Sequence, residues 1–348
     1  MAEKVKLVIF EAKDWEKEMF IKNLTDKLSQ DFSDLEIEFS SEPLKGTNAF
    51  NYKNSNLIVI SSNSLINEEV LEQIPSLKLI ITRTTGIDHI DVLACQRRGI
   101  QISNVPYYAS ITVAEHVFAL IFALARKLRK NFEKLLIFDF SRQDLLGTDL
   151  YDKVLGVIGT GNIGRHLCRI GYGIGMKILA YDINESKELI EQYKVVYTSL
   201  DNLLQESDVI TVMVPYYSKT HHLINMENIK LVKDTAMLIN ASRGPVVDTR
   251  ALIWALDNGK LKGGIALDVF EGERVLLEKS YLYESVPSEV TQKALLTLHL
   301  LKYPNVIFTP HIAYFTKEAM ERLMNWILEE IKSYLKYKTL KTHYESYF

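Results

Sequence analysis

Residues 159–164 read Gly-Thr-Gly-Asn-Ile-Gly, directly after the apolar run VLGVI and at the head of a segment with helical spacing. Three glycines so placed suit a phosphate-binding turn. Gly159 permits the tight turn, Gly161 lets backbone amides approach a pyrophosphate, and Gly164 lets helix and strand pack closely. The unpaired N–H groups of the helix N-terminus point outward and favour an anion, which makes Thr160, Asn162 and Ile163 part of the same loop. Asp182 closes the next apolar run, where a carboxylate accepts bonds from both hydroxyls of a ribose. The residues after it, Ile183, Asn184 and Glu185, include no arginine to welcome a 2′-phosphate. The chemistry is that of a dinucleotide, NAD rather than NADP. A purely structural glycine turn would account for the loop but not for its acidic partner.

These groups need strands and helices to hold them. Val5 to Phe10, Leu35 to Phe39, Leu57 to Ile60, Leu77 to Thr82 and Ile100 to Ser103 read as strands. Trp15 to Leu28, EEVLEQI and GIDHIDVLACQRRG carry helical spacing between them. A crossing at Asn104 to Ser110 contains Pro106, and TVAEHVFALIFALARKLRK then reads as one long apolar helix, basic in its last turn. It is more apolar than a solvent-facing helix needs, which marks an interdomain or subunit-facing element, or simply a core helix.

From Lys153 the strands VLGVIG, MKILAYD, DVITVMV, AMLINAS and GIALDVF alternate with helices at Asn162 to Ile174, LDNLLQESD, Ile229 to Leu231 and Asp248 to Asn258. That alternation predicts a parallel sheet covered on both faces. Glu273 to Val290 is polar and irregular, VIFTP is a last strand, and Lys317 to Tyr337 is a closing amphipathic helix that returns to the first domain. The fold class is α/β, with two Rossmann-like domains of parallel sheet and a substrate cleft between them. Residues 1–104 plus 309–348 form a flavodoxin-like substrate domain, and residues 105–308 the nucleotide domain.

Composition bounds the rest. At roughly 150 residues per domain, 348 residues allow two domains. Apolar residues at 47%, with 16 Gly and 8 Pro, fit a globular chain rather than a disordered or fibrous one. A formal charge of −3 supplies no broad basic footprint for nucleic acid or an anionic membrane. Two cysteines, Cys95 and Cys168, are too few for a disulfide framework and fit a reduced, cytoplasmic setting. No signal-peptide core or membrane-length apolar run is legible.

The stretches TRTTGIDHID, NVPYYASITVAEH, VLGVIGTGNIG, VPYYSKTHHLI, INASRGPVVD, GGIALDVFEGE and FTPHIAYFT together resemble the D-isomer-specific 2-hydroxyacid dehydrogenase family, in its order and spacing. HIAYFT and the long segment after VFEGE look most like its D-lactate dehydrogenase branch. The resemblance implies a catalytic set: Arg243 binding the substrate carboxylate and polarising the keto oxygen, His311 as acid/base, and Glu273 pairing with that histidine. The types suit the tasks. A guanidinium makes paired bonds to two oxygens, and a histidine with a reference pKa near 6.5 exchanges protons around neutrality.

It further implies Thr85 and Gly86 as the loop receiving the substrate carboxylate, and Tyr108 as a substrate-side hydroxyl. Asp268 falls beside the nicotinamide, with Val214, Pro215 and Ala241 lining the cofactor. His116 reads as structural, and His221 and His222 as surface-turn residues without a metal. Two positions depart from the family's habit. Met213 stands where a polar residue is common, and Asn63 where the lactate branch often has an aromatic over the substrate methyl group. A larger or more polar D-2-hydroxy acid such as glycerate or hydroxyisocaproate is therefore the alternative to D-lactate, and an NAD-binding corepressor-like role is the non-enzymatic one. The resemblance also implies a homodimer formed through the nucleotide domains and the helix after residue 110.

Overall fold

In the computed structural model, the described residues are 4–27, 32–277, 288–338 and 340. The chain divides into two compact units, residues 1–108 with 316–348, and residues 109–315.

The first unit contains β1 (Val5–Ile9), α1 (Asp14–Lys27), β2 (Leu35–Phe39), β3 (Leu57–Ile60), α2 (Glu68–Gln73), β4 (Leu79–Thr82), α3 (Val92–Arg97) and β5 (Gln101–Ser103). Its strands form one parallel sheet in the order β2-β1-β3-β4-β5, the flavodoxin-like order. Leu57–Ile60 and Leu79–Thr82 are buried at every position, as strands covered on both faces must be. Burying each such aliphatic side chain is worth about 1.5–3 kcal/mol. Helix starts are set locally: Asn67 accepts from Val70 N and Asp91 from Ala94 N. Leu28, the expected end of α1, lies outside the described residues.

The second unit contains α4 (Ser110–Ala125), α5 (Leu128–Leu136), β6 (Val154–Ile158), α6 (Asn162–Gly173), β7 (Lys177–Tyr181), α7 (Lys187–Tyr193), β8 (Val196–Tyr197), α8 (Leu200–Glu206), β9 (Val209–Val212), β10 (Met237–Asn240), α9 (Thr249–Asp257), β11 (Gly264–Leu267), α10 (Glu273–Leu277), α11 (Ser288–Leu300) and β12 (Val306–Phe308). The sheet order is β12-β11-β10-β9-β6-β7-β8, all parallel. Counted from β6 this is the Rossmann order with one added strand. The chain's closing helix, α12 (Lys317–Tyr337), belongs to the first unit, where Lys27 Nζ donates to Asn325 Oδ1 at 2.7 Å.

Three local features differ from the sequence reading. The long apolar helix is broken: α4 stops at Ala125, and Lys127 has φ 49°. The cause is the returning chain. Thr148 N donates to Ala125 O, and Gly147 passes so close that a Cβ there would lie 2.7 Å from the same carbonyl. Second, Glu273–Leu277 is helical, and so is Ser288–Leu300 from its start, where irregular chain was expected over Glu273 to Val290; residues 278–287 of that stretch lie outside the description. Third, the crossings fall at 108/109 and 315/316 rather than 104/105 and 308/309. Thr309, His311, Ile312 and Ala313 are all hydrogen-bonded to Leu267 or Asp268 of the second unit, which keeps His311 there.

The first unit carries a buried ion pair behind its strand ends. Arg83 Nη1 donates to Glu16 Oε1 at 2.5 Å, and Nη2 donates to Phe10 O and Glu11 O. Both side chains are under 10% exposed. Removing one partner leaves a buried charge uncompensated, so Glu16→Ala should cost about 3–5 kcal/mol, read as a lowered midpoint in urea unfolding. An unchanged midpoint would mean the pair contributes nothing.

Candidate active site

All strands of the second sheet run the same way, so the residues after them share one edge, and ligands of such sheets bind there at the point where strand order reverses. Here the reversal lies between β6 and β9. The loop after β6 is Gly159–Thr160–Gly161, and the one after β9 is Met213–Val214–Pro215. Each glycine has a geometric reason. Gly159 has φ 95°, and a Cβ there would lie 2.9 Å from the Met213 carbonyl group. A Cβ on Gly164 would lie 2.0 Å from Gly159 O. At Gly161, by contrast, a Cβ would meet nothing within 4 Å, and no side chain caps the first N–H groups of α6.

Open space before uncapped helix amides fits a pyrophosphate. Asp182, just past β7, is held in place: Oδ2 accepts from Thr160 N at 2.6 Å and Thr160 Oγ1 at 3.1 Å, and Oδ1 from Asn184 N. Thr160 is buried, and its hydroxyl also meets Tyr197 OH at 3.0 Å. Ala241 follows β10 in the same edge, half-buried, as is Val214, while Pro215 is exposed.

The chemistry-bearing groups gather after β11 and β12. Asp268 is 1% exposed. Its Oδ1 accepts from Thr309 Oγ1 at 2.6 Å and Ile312 N at 3.0 Å, its Oδ2 accepts from Ala313 N at 3.0 Å, and His116 Nε2 lies 3.4 Å from Oδ1. Burial pushes its carboxyl pKa up, but the bonds from His116, Thr309, Ile312 and Ala313 outweigh that and hold it below the ordinary 3.8. The backbone completes the clasp: His311 N donates to Asp268 O at 3.0 Å and to Thr309 O at 2.9 Å. These bonds hold His311 at φ 54°, a left-handed conformation costing a residue with a Cβ about 1–2 kcal/mol. In that pose His311 Nδ1 lies 3.3 Å from Glu273 Oε1, while Glu273 Oε2 accepts from Phe270 N.

Arg243 follows β10 and is half-buried, its Nη1 donating to Ser242 O; Asn240 Nδ2 donates to its carbonyl. Thus the second unit brings His311, Glu273 and Asp268 into contact, with Arg243 on the adjoining strand end. Thr85, Gly86 and Tyr108 belong to the first unit. Thr85 is exposed, with Oγ1 donating to Val105 O; Gly86 O accepts from Thr84 Oγ1; and Tyr108 is buried, its carbonyl accepting from Arg322 Nε.

The sequence reading undervalued His116. Its Nε2 lies 3.2 Å from Thr309 Oγ1 as well as near Asp268, within the same polar cluster as the catalytic candidates. The signal was its place in the YYASITVAEH stretch, which spacing alone could not connect to residues nearly two hundred positions on. His222 is likewise not a plain surface residue: with Asp248 and Glu271 it forms a group whose ligand-type atoms lie within 4.8 Å of one another. Lys293 Nζ, 3.4 Å from Glu271 Oε1, supplies positive charge there.

A dinucleotide-binding sheet whose carboxyl edge also carries a paired histidine and carboxylate defines a nicotinamide-dependent dehydrogenase. Residues 118–313 match the NAD-binding domain of the D-isomer specific 2-hydroxyacid dehydrogenases, and the chain belongs to that family. It is 40% identical over 269 residues to the D-specific alpha-keto acid dehydrogenase of Enterococcus faecium, covering 76% of this chain and 77% of that one. It is 34% identical over 280 residues to an aromatic 2-oxoacid reductase of Clostridium sporogenes, 80% of this chain and 82% of the other. The crystal structure of the D-lactate dehydrogenase of Aquifex aeolicus, complexed with NAD and lactic acid, is similar with a TM-score of 0.85 and 38% identity over 95% of each chain. NAD is accordingly the cofactor of this domain.

Because Asp268 titrates lower when folded than the ordinary carboxyl, its stabilisation is present above pH 3.8 and is lost as the pH falls through its lowered value. Asp268→Asn should therefore lower the melting temperature most at neutral pH, with the gap to wild type closing as the pH drops below 3.8. A gap independent of pH would show that the charge of Asp268 does not stabilise the fold.

Proposed function

We propose that the protein reduces a small 2-oxo acid to its D-2-hydroxy acid with NADH, with pyruvate and D-lactate as the first candidate pair. The observation that carries this reading is the His311–Glu273 pair at 3.3 Å, held beside buried Asp268 at the carboxyl edge of the nucleotide sheet. When bound, the nicotinamide supplies or accepts the hydride at its C4. His311 donates the proton to the keto oxygen in reduction and takes it back in oxidation, so C=O becomes CH–OH with one hydride and one proton. Glu273 orients the ring through its contact with His311 Nδ1. Arg243 holds the substrate carboxylate and polarises the keto oxygen, with Thr85 and Gly86 as further carboxylate donors and Tyr108 as a substrate-side hydroxyl. Asp268, Val214, Pro215 and Ala241 complete the nicotinamide surroundings.

Asn63 favours a second reading. Its backbone N donates to Glu11 Oε2 at 3.3 Å, and the same carboxylate accepts from Ser61 N, Ser64 N and Ser64 Oγ. The loop after β3 is therefore fixed while the Asn63 side chain stands exposed. The resemblance sets this position over the substrate's substituent, and a carboxamide there supports a 2-oxo acid with a polar one. The purified enzyme should be offered pyruvate, hydroxypyruvate, 2-oxoisocaproate and phenylpyruvate while NADH absorbance is followed, with chiral analysis of the product. Highest kcat/KM on pyruvate with D-lactate formed supports the first reading, preference for hydroxypyruvate the second, and L-product or no turnover overturns both. In the same assay His311→Ala should lower kcat by about 10²–10⁴ with NADH affinity unchanged.

The assembly proposed is a homodimer. Leu136, Ile137, Phe138, Phe140 and Leu146 are exposed in and after α5, Phe138 at 84% and Leu146 at 86%. Exposed large apolar side chains clustered along the chain in this way support an interface, and they follow the apolar α4 that the sequence singled out. Light scattering should give twice the chain mass, falling to one chain mass for Leu136→Asp with Phe138→Asp; a monomeric wild type would end the proposal. A reduced, cytoplasmic setting is part of the same reading: Cys95 and Cys168 are unpaired and buried, and burial pushes both thiols up to about 12. Among the described residues no helix is long and apolar enough to cross a membrane.

A further inference from the structure

Two residues before Glu273 stands a second carboxylate that the reaction does not use. Glu271 is 4% exposed, and its carboxylate and carbonyl oxygens are all engaged. Oε1 lies 3.1 Å from His222 Nε2 and 3.4 Å from Lys293 Nζ, Oε2 accepts from Thr249 N at 3.1 Å, and the carbonyl accepts from Thr297 Oγ1 at 2.9 Å. The donors come from three places: the turn at His222, the first turn of α9, and α11. Further charged or titratable groups sit around them, with His221 stacked on His222 at 4.0 Å, Asp248 at the start of α9, and Glu289 beside Lys293. Gly272 completes the fixation, because its φ is 76° and a Cβ there would lie 2.6 Å from Ala294 N of α11.

This matters because Glu273 reaches His311 at 3.3 Å, longer than the 2.7–2.9 Å typical of a charge-assisted bond (about those values). A bond already long is sensitive to small shifts of the chain that carries it. Asp268 fixes the histidine side, and Glu271 is the corresponding anchor on the carboxylate side. We propose that Glu271 is a positioning residue, which through His222, Thr249, Lys293 and Thr297 sets the distance between Glu273 and His311 and thereby tunes the proton affinity of the acid/base histidine. The proposal rests on His311 and Glu273 acting as above, but its readout does not need turnover.

The His311 ring is titrated by NMR in the full-length wild type, with Glu273→Gln as the reference for complete loss of the pair. Glu271→Ala should move the His311 titration toward that of the reference, because the paired carboxylate is then held less closely. Thr297→Val removes the carbonyl anchor without leaving a buried charge and should shift it the same way by less, which keeps the test open if Glu271→Ala does not fold. In steady state the basic limb of kcat/KM should move to lower pH and kcat fall about tenfold, against nearly unchanged NADH affinity. An unshifted His311 titration in folded variants, or lost activity with the basic limb in place, overturns the proposal. A wild type that turns over no 2-oxo acid, while the titration shifts are still seen, would instead overturn the function and leave the positioning role standing.

Discussion

The buried carboxylate of Asp268 is the interaction on which the rest of the site depends. It stands at the end of β11, and in accepting bonds from Thr309, Ile312 and Ala313 it draws the segment after β12 against its own strand end. A charge so buried is tolerated because every bond it accepts offsets lost hydration. The result is a pinned backbone on both sides of His311. That pinning keeps a residue with a Cβ at positive φ, and the strained pose aims the imidazole at Glu273.

Parallel strand order supplies the second constraint. Because the strands of the sheet all end on one edge, Gly159–Gly164, Asp182, Arg243, Asp268 and His311 lie along that edge although they span some 150 positions of chain. The edge is divided by charge. Around β6 and β7, uncapped amides and the Asp182 carboxylate suit a dinucleotide; around β10 to β12, a guanidinium, an imidazole and carboxylates suit an acid substrate and its proton. The glycines allow this closeness, since at Gly159 and Gly164 a side chain would occupy space already held by backbone.

Rigid support for Glu273 comes from a separate network. Glu271 ties the chain after β11 to α9, α11 and the His222 turn, so the two members of the proposed acid/base pair are held by different carboxylates on different sides. Such over-determination suits proton transfer, where tenths of an ångström change the strength of a charge-assisted bond.

Much of this was legible in residues 159–182 alone. GTGNIG after an apolar strand prescribes a turn and a helix N-terminus through local geometry that the chain carries with it. Strand and helix alternation fixed the α/β class for the same reason: continuous apolar runs need cover on both faces. Arg243, Glu273 and His311, and the pairing of the last two, came from the family resemblance, since nothing in the local spacing says that Glu273 and His311 meet. The break at Lys127, the helix at Ser288–Leu300, the side of the crossing on which His311 falls, and the engagement of His116 and Glu271 were decided by tertiary structure. Each depends on a bond between distant segments, such as Thr148 N to Ala125 O or His116 to Thr309. Periodicity and spacing report what a segment does with its near neighbours, whereas these features arise where packing brings a second segment to satisfy a buried polar group.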